Sequence, residues 1–373
     1  MNIILYVSFV VFGVYSFIIL SFAYGWNKIR FFKQGKEFKN IPVTVIVACR
    51  NEEKNITRLL KCLLHQNYPK QYVEIILIDD HSEDNTVQVI KSFQDKNIPI
   101  KTLSLPNHLQ GKKAALELGI SHAGTEIIIT TDADCTMNKR WIESMVAYYH
   151  KHGAGIISGP VIFKSNTIFE KLQALEFLSL IGSGAGAIGI NHPIMSNGAN
   201  LLFQKKLFTT SILNEKFASG DDIFLLLHVK KQHKEDIHFI KSSDAVVCTN
   251  PEVHLKDFIN QRIRWASKSK GYKDYDVIIT ALIISFVNLI LAGSLIYSVF
   301  NYSFFFIYFS LFIIKTFADL AILIPVSRFT GQQKLLWLFI PLQFVYPFYI
   351  ILTAVSGLLG KFRWKSRIYK EKR

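Results

Sequence analysis

Acidic residues are scarce in this chain, with 28 Asp and Glu against 43 Lys and Arg and a formal net charge of +15. Nucleic acid is the first partner such a balance suggests. No nucleic-acid-binding motif accompanies it, and the surplus gathers beside apolar segments, where it would meet anionic lipid headgroups. Cysteine is scarcer still. Cys49, Cys62, Cys135 and Cys248 show no Cys-x-x-Cys spacing, so neither a disulfide framework nor a zinc site is indicated, and they read as buried, reduced thiols. Internal repeats and low-complexity segments are lacking. A basic n-region is also missing ahead of the first apolar run, and the positive charges lie behind it, which argues against a cleaved signal peptide.

What is abundant is apolar: half the residues are hydrophobic and 30 are Phe. Ile3 to Tyr24 is long enough to cross ~30 Å of hydrocarbon. Lys28, Arg30, Lys33, Lys36 and Lys39 follow at once and predict that the next region is cytosolic. Val277 to Phe300, Ser303 to Ile324 and Leu335 to Gly360 have spanning length too. Lys315 and Asp319 lie four apart on one helical face of the second, as a structural ion pair or a contact to an acceptor headgroup. The tail Lys361 to Arg373 carries seven basic residues and is expected in the cytosol. Three full crossings would place it outside. Pro341 and Pro347 interrupt the last segment, which therefore reads as re-entrant or interfacial.

Between these flanks, short β-branched runs end on charged residues. Glu126 to Thr131 reads as a buried strand that delivers Asp132 and Asp134 to its C-terminal edge, where ligands of open sheets bind. Two hard oxygen donors there suit Mg²⁺ or Mn²⁺; the alternative is a turn capping a helix near Asn138 to Tyr149. Val43 to Ala48 is followed by Arg50-Asn51-Glu52-Glu53 and a helix carrying Ile56, Leu59, Leu60, Leu63 and Leu64. Glu74 to Ile78 ends on Asp79, Asp80, His81, Ser82, Glu83 and Asp84 before a helix from Thr86 to Gln94. Such acids can receive the base or ribose of a nucleotide, with Asp84 the best candidate for a cap. Ile100 to Leu105 is a further strand, and Gly111-Lys112-Lys113 opens a helix whose N–H groups and lysines suit a phosphate. Gly155 to Phe163 reads as a strand broken by a Gly-Pro bend, and Gly182 to Gly189 as a region of mobility or close packing.

In order and spacing, Val45-Ile-Val-Ala-Cys-Arg-Asn-Glu-Glu, Gln66-Asn-Tyr-Pro69, Asp79-Asp80-His81-Ser82, Gly111-Lys112 and Thr131-Asp132-Ala133-Asp134 resemble the family 2 glycosyltransferases over about residues 42 to 270. The resemblance implies an α/β fold of the GT-A type, an open twisted sheet with helices on both faces, and inverting transfer from a nucleotide-diphosphosugar donor. It further implies that Asp79 and Asp80 contact the nucleoside, that Asp132 and Asp134 hold the diphosphate through a divalent metal (Mn²⁺ or Mg²⁺), and that Lys112 lies near the phosphates. Asn200, in Asn197-Gly198-Ala199-Asn200, resembles the acceptor-side segment; a turn before a strand is the alternative. Ser219-Gly220-Asp221-Asp222 stands where the family usually carries Glu-Asp, putting Asp222 on the catalytic base and Asp221 beside it on the acceptor side. Gln261, Arg264 and Trp265 match the Gln-x-x-Arg-Trp signature that borders the acceptor. The same segment, with Leu255, Phe258, Ile259 and Ile263 at helical spacing and Arg262, Arg264, Lys268 and Lys270 around them, is also written like an interfacial helix. For Arg264 a phospholipid contact and for Trp265 an interfacial anchor are the alternatives. Trp364-Lys-Ser-Arg-Ile-Tyr369 resembles a tail motif of the family, with Ser366 in place of the usual Gly.

The expected organisation is an N-terminal transmembrane helix (1–27), a basic linker (28–41), a cytosolic glycosyltransferase domain (42–253), an interfacial helix (254–274), a membrane region of about three segments (275–360) and a basic cytosolic tail (361–373). The expected activity is sugar transfer to a membrane lipid, at a multi-pass cell-membrane protein and with no nucleic acid involved. A processive polysaccharide synthase and a non-catalytic nucleotide-sugar-binding scaffold are the alternatives. The oligomeric state is left open.

Overall fold

The computed structural model describes residues 2–35, 38–93, 99–208, 220–358, 361–364 and 367–370. Lys36, Gln94, Ser219, Gly360, Lys365 and Ser366, used in the sequence reading, lie outside the described residues, as do residues 371–373 of the tail.

In chain order the described strands are β1 (Val43–Cys49), β2 (Val73–Asp79), β3 (Ile100–Ser104), β4 (Ile127–Thr130), β5 (Thr136–Met137), β6 (Ile156–Ser158), β7 (Val161–Phe163), β8 (Leu201–Gln204), β9 (Ile237–Phe239) and β10 (Val247–Thr249), with β11 (Lys361–Trp364) and β12 (Arg367–Lys370) pairing antiparallel in the tail. The helices are α1 (Asn2–Lys28), α2 (Ile56–Leu64), α3 (Thr86–Lys91), α4 (Lys112–His122), α5 (Trp141–His152), α6 (Ile168–Gly189), α7 (Asp221–His233), α8 (Leu255–Ser267), α9 (Tyr275–Phe300), α10 (Ser303–Thr330) and α11 (Phe339–Leu358).

Among the described residues, seven strands form one mixed sheet in the order β3-β2-β1-β4-β8-β6-β9. The β-branched runs become its centre: Val43, Thr44, Val45, Ile46 and Val47 of β1 are all fully buried, so both faces of the sheet are covered. Strands β1 to β4 run parallel, and their register brings Arg50, Asp80 and Asp132 to one edge. Strand β8 is antiparallel to β4 and β6. At Gly159-Pro160 the chain leaves the large sheet, and β7 joins a second sheet, β5-β10-β7. Proline there donates nothing to a ladder, which suits a strand changing partners.

Among the described residues, five segments are long and apolar enough to cross a membrane: Leu5–Lys28, Ile168–Gly189, Tyr275–Phe300, Ser303–Thr330 and Gln333–Gly357. The second, α6, differs from the rest because most of it is buried. Its glycine-rich end is closely packed. Elsewhere the apolar helices leave Phe17, Phe286, Phe306 and Val345 exposed, an outward apolar face of the kind that meets hydrocarbon. The Lys315–Asp319 pair forms an ion pair at 2.5 Å. Both ends of the segment containing Pro341 and Pro347 lie against the α/β domain or α8. Gln332 donates to the Phe163 carbonyl at 3.0 Å, and Gly357 meets Ala266 of α8 so closely that an added Cβ would stand 2.6 Å from its methyl.

Candidate active site

The sheet edge is assembled by side chains that tie successive loops together. Arg50, next after β1, donates to the carbonyls of Asp80 and His81 at 2.7 Å each and to Glu83 Oε1 at 3.1 Å. Asn51 and His81 have φ of 52° and 56°, left-handed values that non-glycine residues hold only when neighbours fix them. The Asp80 carboxylate accepts from Gly111 N at 3.1 Å and so docks the start of α4 at the same edge. There Lys112 Nζ reaches Asp132 Oδ1 at 2.6 Å and lies 4.0 Å from Asp221 Oδ2. Burial works against its charge, but Asp132 and then Asp221 outweigh burial and hold the ammonium well above the usual lysine range.

Asp134 accepts from Thr249 Oγ1 of β10 at 2.8 Å. Burial and, next, the Asp132 carboxylate push its carboxyl up to about 6. Across the cavity, Gly220 has φ 107° at the N-cap of α7, a turn open to glycine and strained for other residues. Asp221 and Asp222 thereby enter the first helical turn, where a carboxylate is favoured. Asp222 Oδ2 accepts from Gly198 N at 3.2 Å and Oδ1 from Ile223 N at 2.8 Å, with Lys268 Nζ 3.8 Å away. Burial raises this carboxyl, but Lys268, Lys112 and the two N–H groups more than offset it and leave it below its ordinary value. Arg264 sits among these acids; burial draws it below the usual arginine range, while Asp132 and Glu252 act the other way.

Asp80, Lys112, Asp132, Asp134, Asp221, Asp222, Gln261, Arg264 and Trp265 converge on one cavity of about 490 Å³. Residues 44–212 match the profile of Glycosyl transferase family 2. The chain carries a family 2 glycosyltransferase domain. It is similar to the poly-beta-1,6-N-acetyl-D-glucosamine synthase of Staphylococcus epidermidis, 30% identical over 240 residues that cover 60% of this chain and 53% of that protein. It is also similar to glycosyltransferase AglE of Haloferax volcanii, 30% identical over 121 residues that cover 32% of this chain and 40% of that protein. The chain thus spans about half the length of the curated relatives it matches, 53% for the synthase. Its fold is shared with mannosyltransferase PcManGT from Pyrobaculum calidifontis, solved with GDP-Man and Mn²⁺, at a TM-score of 0.59 and 17% identity over 95% of this chain and 98% of that one.

Two residues of the sequence reading are not brought to the cavity of the family 2 domain. Asp79 turns away and accepts from Ser82 N at 3.2 Å. Asn200 is fully buried: Trp141 Nε1 donates to its Oδ1 at 2.9 Å, and its Nδ2 donates to Pro160 O at 2.9 Å and Ala245 O at 2.8 Å. Its amide is spent on bracing the β6–β7 break, in keeping with the turn alternative.

Arg262 is likewise not a surface charge. It is 4% exposed, meets Glu176 Oε2 at 2.6 Å, and lies over the rings of Phe258 and Trp265 at 4.5 and 4.2 Å. Tyr349 of α11 donates to the same Glu176 at 2.8 Å. With Arg264 and Lys268 in the cavity, three of the four charges attributed to an interfacial helix face protein instead. The sequence reading also missed Arg50 and Lys268 as cavity residues. Arg50 stood inside the first family motif and Lys268 one helical turn beyond Arg264, so position was the available signal.

Proposed function

We propose that this protein is an inverting glycosyltransferase that moves a sugar from a nucleotide diphosphosugar to a membrane lipid. The observation that carries the reading is the two-sided lining of one cavity. Acids and lysines occupy part of it, and Phe163, Phe177, Ile181 and Met195 line another, two of them on α6, the buried member of the apolar helices. A soluble polar acceptor has no use for that wall. A lipid can lay its first carbons there and its headgroup hydroxyl toward Asp222.

Asp222, ionised at neutral pH, takes the proton of that hydroxyl as it attacks the anomeric carbon. Lys112 and Arg264 stand where charge accumulates on the departing nucleoside diphosphate and stabilise it electrostatically. Asp80 and Arg50 frame the nucleoside end. Asp132 and Asp134 fit a divalent cation, Mn²⁺ or Mg²⁺, since they are hard oxygen donors and Asp134 is disfavoured as an anion beside its neighbour. Among the described residues no group of three or more His, Cys, Asp and Glu forms a metal cluster; Asp132 and Asp134 would hold a cation together with donor phosphate oxygens and water. A bound cation would supply further neutralisation of the diphosphate. The complex of PcManGT with GDP-Man and Mn²⁺ supports this choice.

Asp134→Asn tests the acidic pair. Because the folded-state carboxyl is raised to about 6, the native protein binds more protons than the unfolded chain between about pH 4 and 6, and stability falls as pH rises through that window. Metal-free Asp134→Asn is expected to be more stable than wild type at neutral pH, by up to about 3 kcal/mol, and to converge with it near pH 4. Its Mn²⁺ binding should be lost. Denaturant titration across pH and calorimetry with Mn²⁺ measure both.

The similarity to the poly-beta-1,6-N-acetyl-D-glucosamine synthase favours a second reading, a processive polysaccharide synthase. Nucleoside-diphosphate release by the purified protein, over a panel of nucleotide sugars with native lipid extract and with Mn²⁺ or chelator, separates the readings. One donor should support metal-dependent, lipid-stimulated release with a single sugar added per lipid. A ladder of product lengths would favour the synthase. No release from any donor by folded protein would favour a non-catalytic scaffold.

A further inference from the structure

A second cavity, of about 110 Å³, lies among α1, α6, α9, α10 and α11, within the apolar helices and away from the carboxylates of the sheet edge. Leu180 of α6 lines both cavities. The charges around it are neutralised in pairs. Lys315 meets Asp319 at 2.5 Å, and Glu176 meets Arg262 at 2.6 Å. Their remaining capacity is largely spent as well: Lys315 donates to Gln343 Oε1 at 2.9 Å, Gln343 Nε2 donates to Asp319 Oδ2 at 2.6 Å, and Tyr15 donates to Asp319 Oδ1.

Asn288 is different. It lines the cavity, is fully buried, and donates from Nδ2 to the Ile284 carbonyl at 2.7 Å. That bond to a carbonyl fixes which end of the amide is the NH₂ group. Its Oδ1 is buried and has no hydrogen-bond partner among the described residues. Buried amide oxygens are almost always satisfied, and an oxygen in this setting calls for a donor. Most of the wall is apolar, including Ile19, Phe22, Ile284 and Leu342. The volume equals roughly that of three or four waters.

We infer that this cavity binds the uncharged hydroxyl end of a membrane amphiphile, its O–H donating to Asn288 Oδ1 and its first carbons lying against the apolar wall. Pairing of the surrounding charges selects against an anionic or cationic headgroup, because neither would find a free counter-ion. The acceptor character of Oδ1 demands a donor, which an ester or ether lacks. Water alone would satisfy Oδ1 but would leave the apolar wall without contact. The inference does not depend on the transferase reading, since it uses none of the residues at the sheet edge.

The test uses the full chain in nanodiscs of phosphatidylcholine, which carries no hydroxyl, and a diazirine-bearing octanol as photolabel. Saturable labelling is expected within α9 around Ile284 to Asn288 or on the facing Ile322 and Leu342. It should fall at least fivefold in Asn288→Leu and on addition of excess dioctanoylglycerol, but not with trioctanoylglycerol. Labelling that does not saturate, or that survives both Asn288→Leu and dioctanoylglycerol, would overturn the inference and leave a cavity that holds water only. Should Asn288→Leu fail to fold, Ile284→Phe, which fills the space one helical turn away, is expected to give the same loss. Unchanged labelling in that variant would count equally against it.

Discussion

Asp222→Asn is expected to lower turnover by at least a hundredfold while donor affinity changes by less than threefold. General-base catalysis contributes roughly 10²–10⁴, and Asn keeps the shape and the acceptor oxygen of the residue it replaces. The bonds from Gly198 N at 3.2 Å and Ile223 N at 2.8 Å each need an acceptor, and one amide oxygen preserves only one of them. Some loss of local order at the α7 N-terminus will therefore accompany the chemical defect, and donor binding separates the two. Asp221→Asn is the control. Asp221 lies in the same turn and faces Lys112 at 4.0 Å, so its removal should weaken donor binding more than the chemical step. Single-turnover rates and donor titration on both variants decide the assignment. A chemical step lost in Asp221→Asn and intact in Asp222→Asn would move the base to Asp221. Because the Asp222 carboxyl is depressed, the wild-type rate should show no acid limb from this group at any pH above about 5.

Gly186→Val carries the second large effect, on assembly rather than chemistry. A Cβ at Gly186 would stand 2.1 Å from the Phe22 carbonyl oxygen of α1, and one at Gly25 would stand 2.0 Å from the Gly186 carbonyl oxygen. The obstruction is backbone on both sides, so no rotamer change relieves it and the two helices must part. Parting them also undoes what α1 does for the α/β domain: Trp26, 1% exposed, packs on Phe239 of β9 and Phe329 of α10, and Lys241 donates to its carbonyl at 3.1 Å. The expected cost exceeds about 4 kcal/mol, the range of severe core disruption, seen as aggregation or a lost unfolding transition in detergent. Gly13→Val, on α1 but with open space around it, is expected to leave the transition unchanged. A Gly186→Val protein as stable as wild type would refute this account of the α1–α6 contact.

The two experiments probe parts of the protein that were unequally visible beforehand. The sheet edge was legible because each of its pieces is local. A β-branched run that ends on acids fixes both a strand and where its last side chains point, which is why Asp80, Asp132 and Asp134 arrive at the cavity. Gly111-Lys112 and Gly220-Asp221-Asp222 are equally local, since a glycine turn and a helix start determine them together. The order of these pieces along the chain identified the family, and with it the GT-A sheet.

What the tertiary structure alone decided are the pairings between distant residues. Whether Arg262 serves a lipid surface or the interior depends on Glu176, 86 positions earlier, and on Tyr349 from α11. Asn200 carries a motif that resembles an acceptor segment, yet Trp141, Pro160 and Ala245 consume its amide, and only the packed β6–β7 break brings those groups together. The glycines from 182 to 189 allowed either mobility or close contact; the fold sets α1 against Gly186 and Gly189, α10 against Gly182 and Met195 against Gly184. Sequence determined which residues stand at the ends of strands and helices, because backbone hydrogen bonding and side-chain periodicity act over a few residues. Only the tertiary structure decided which buried polar group meets which, because desolvation must be answered by whatever partner the folded chain places within about 3 Å.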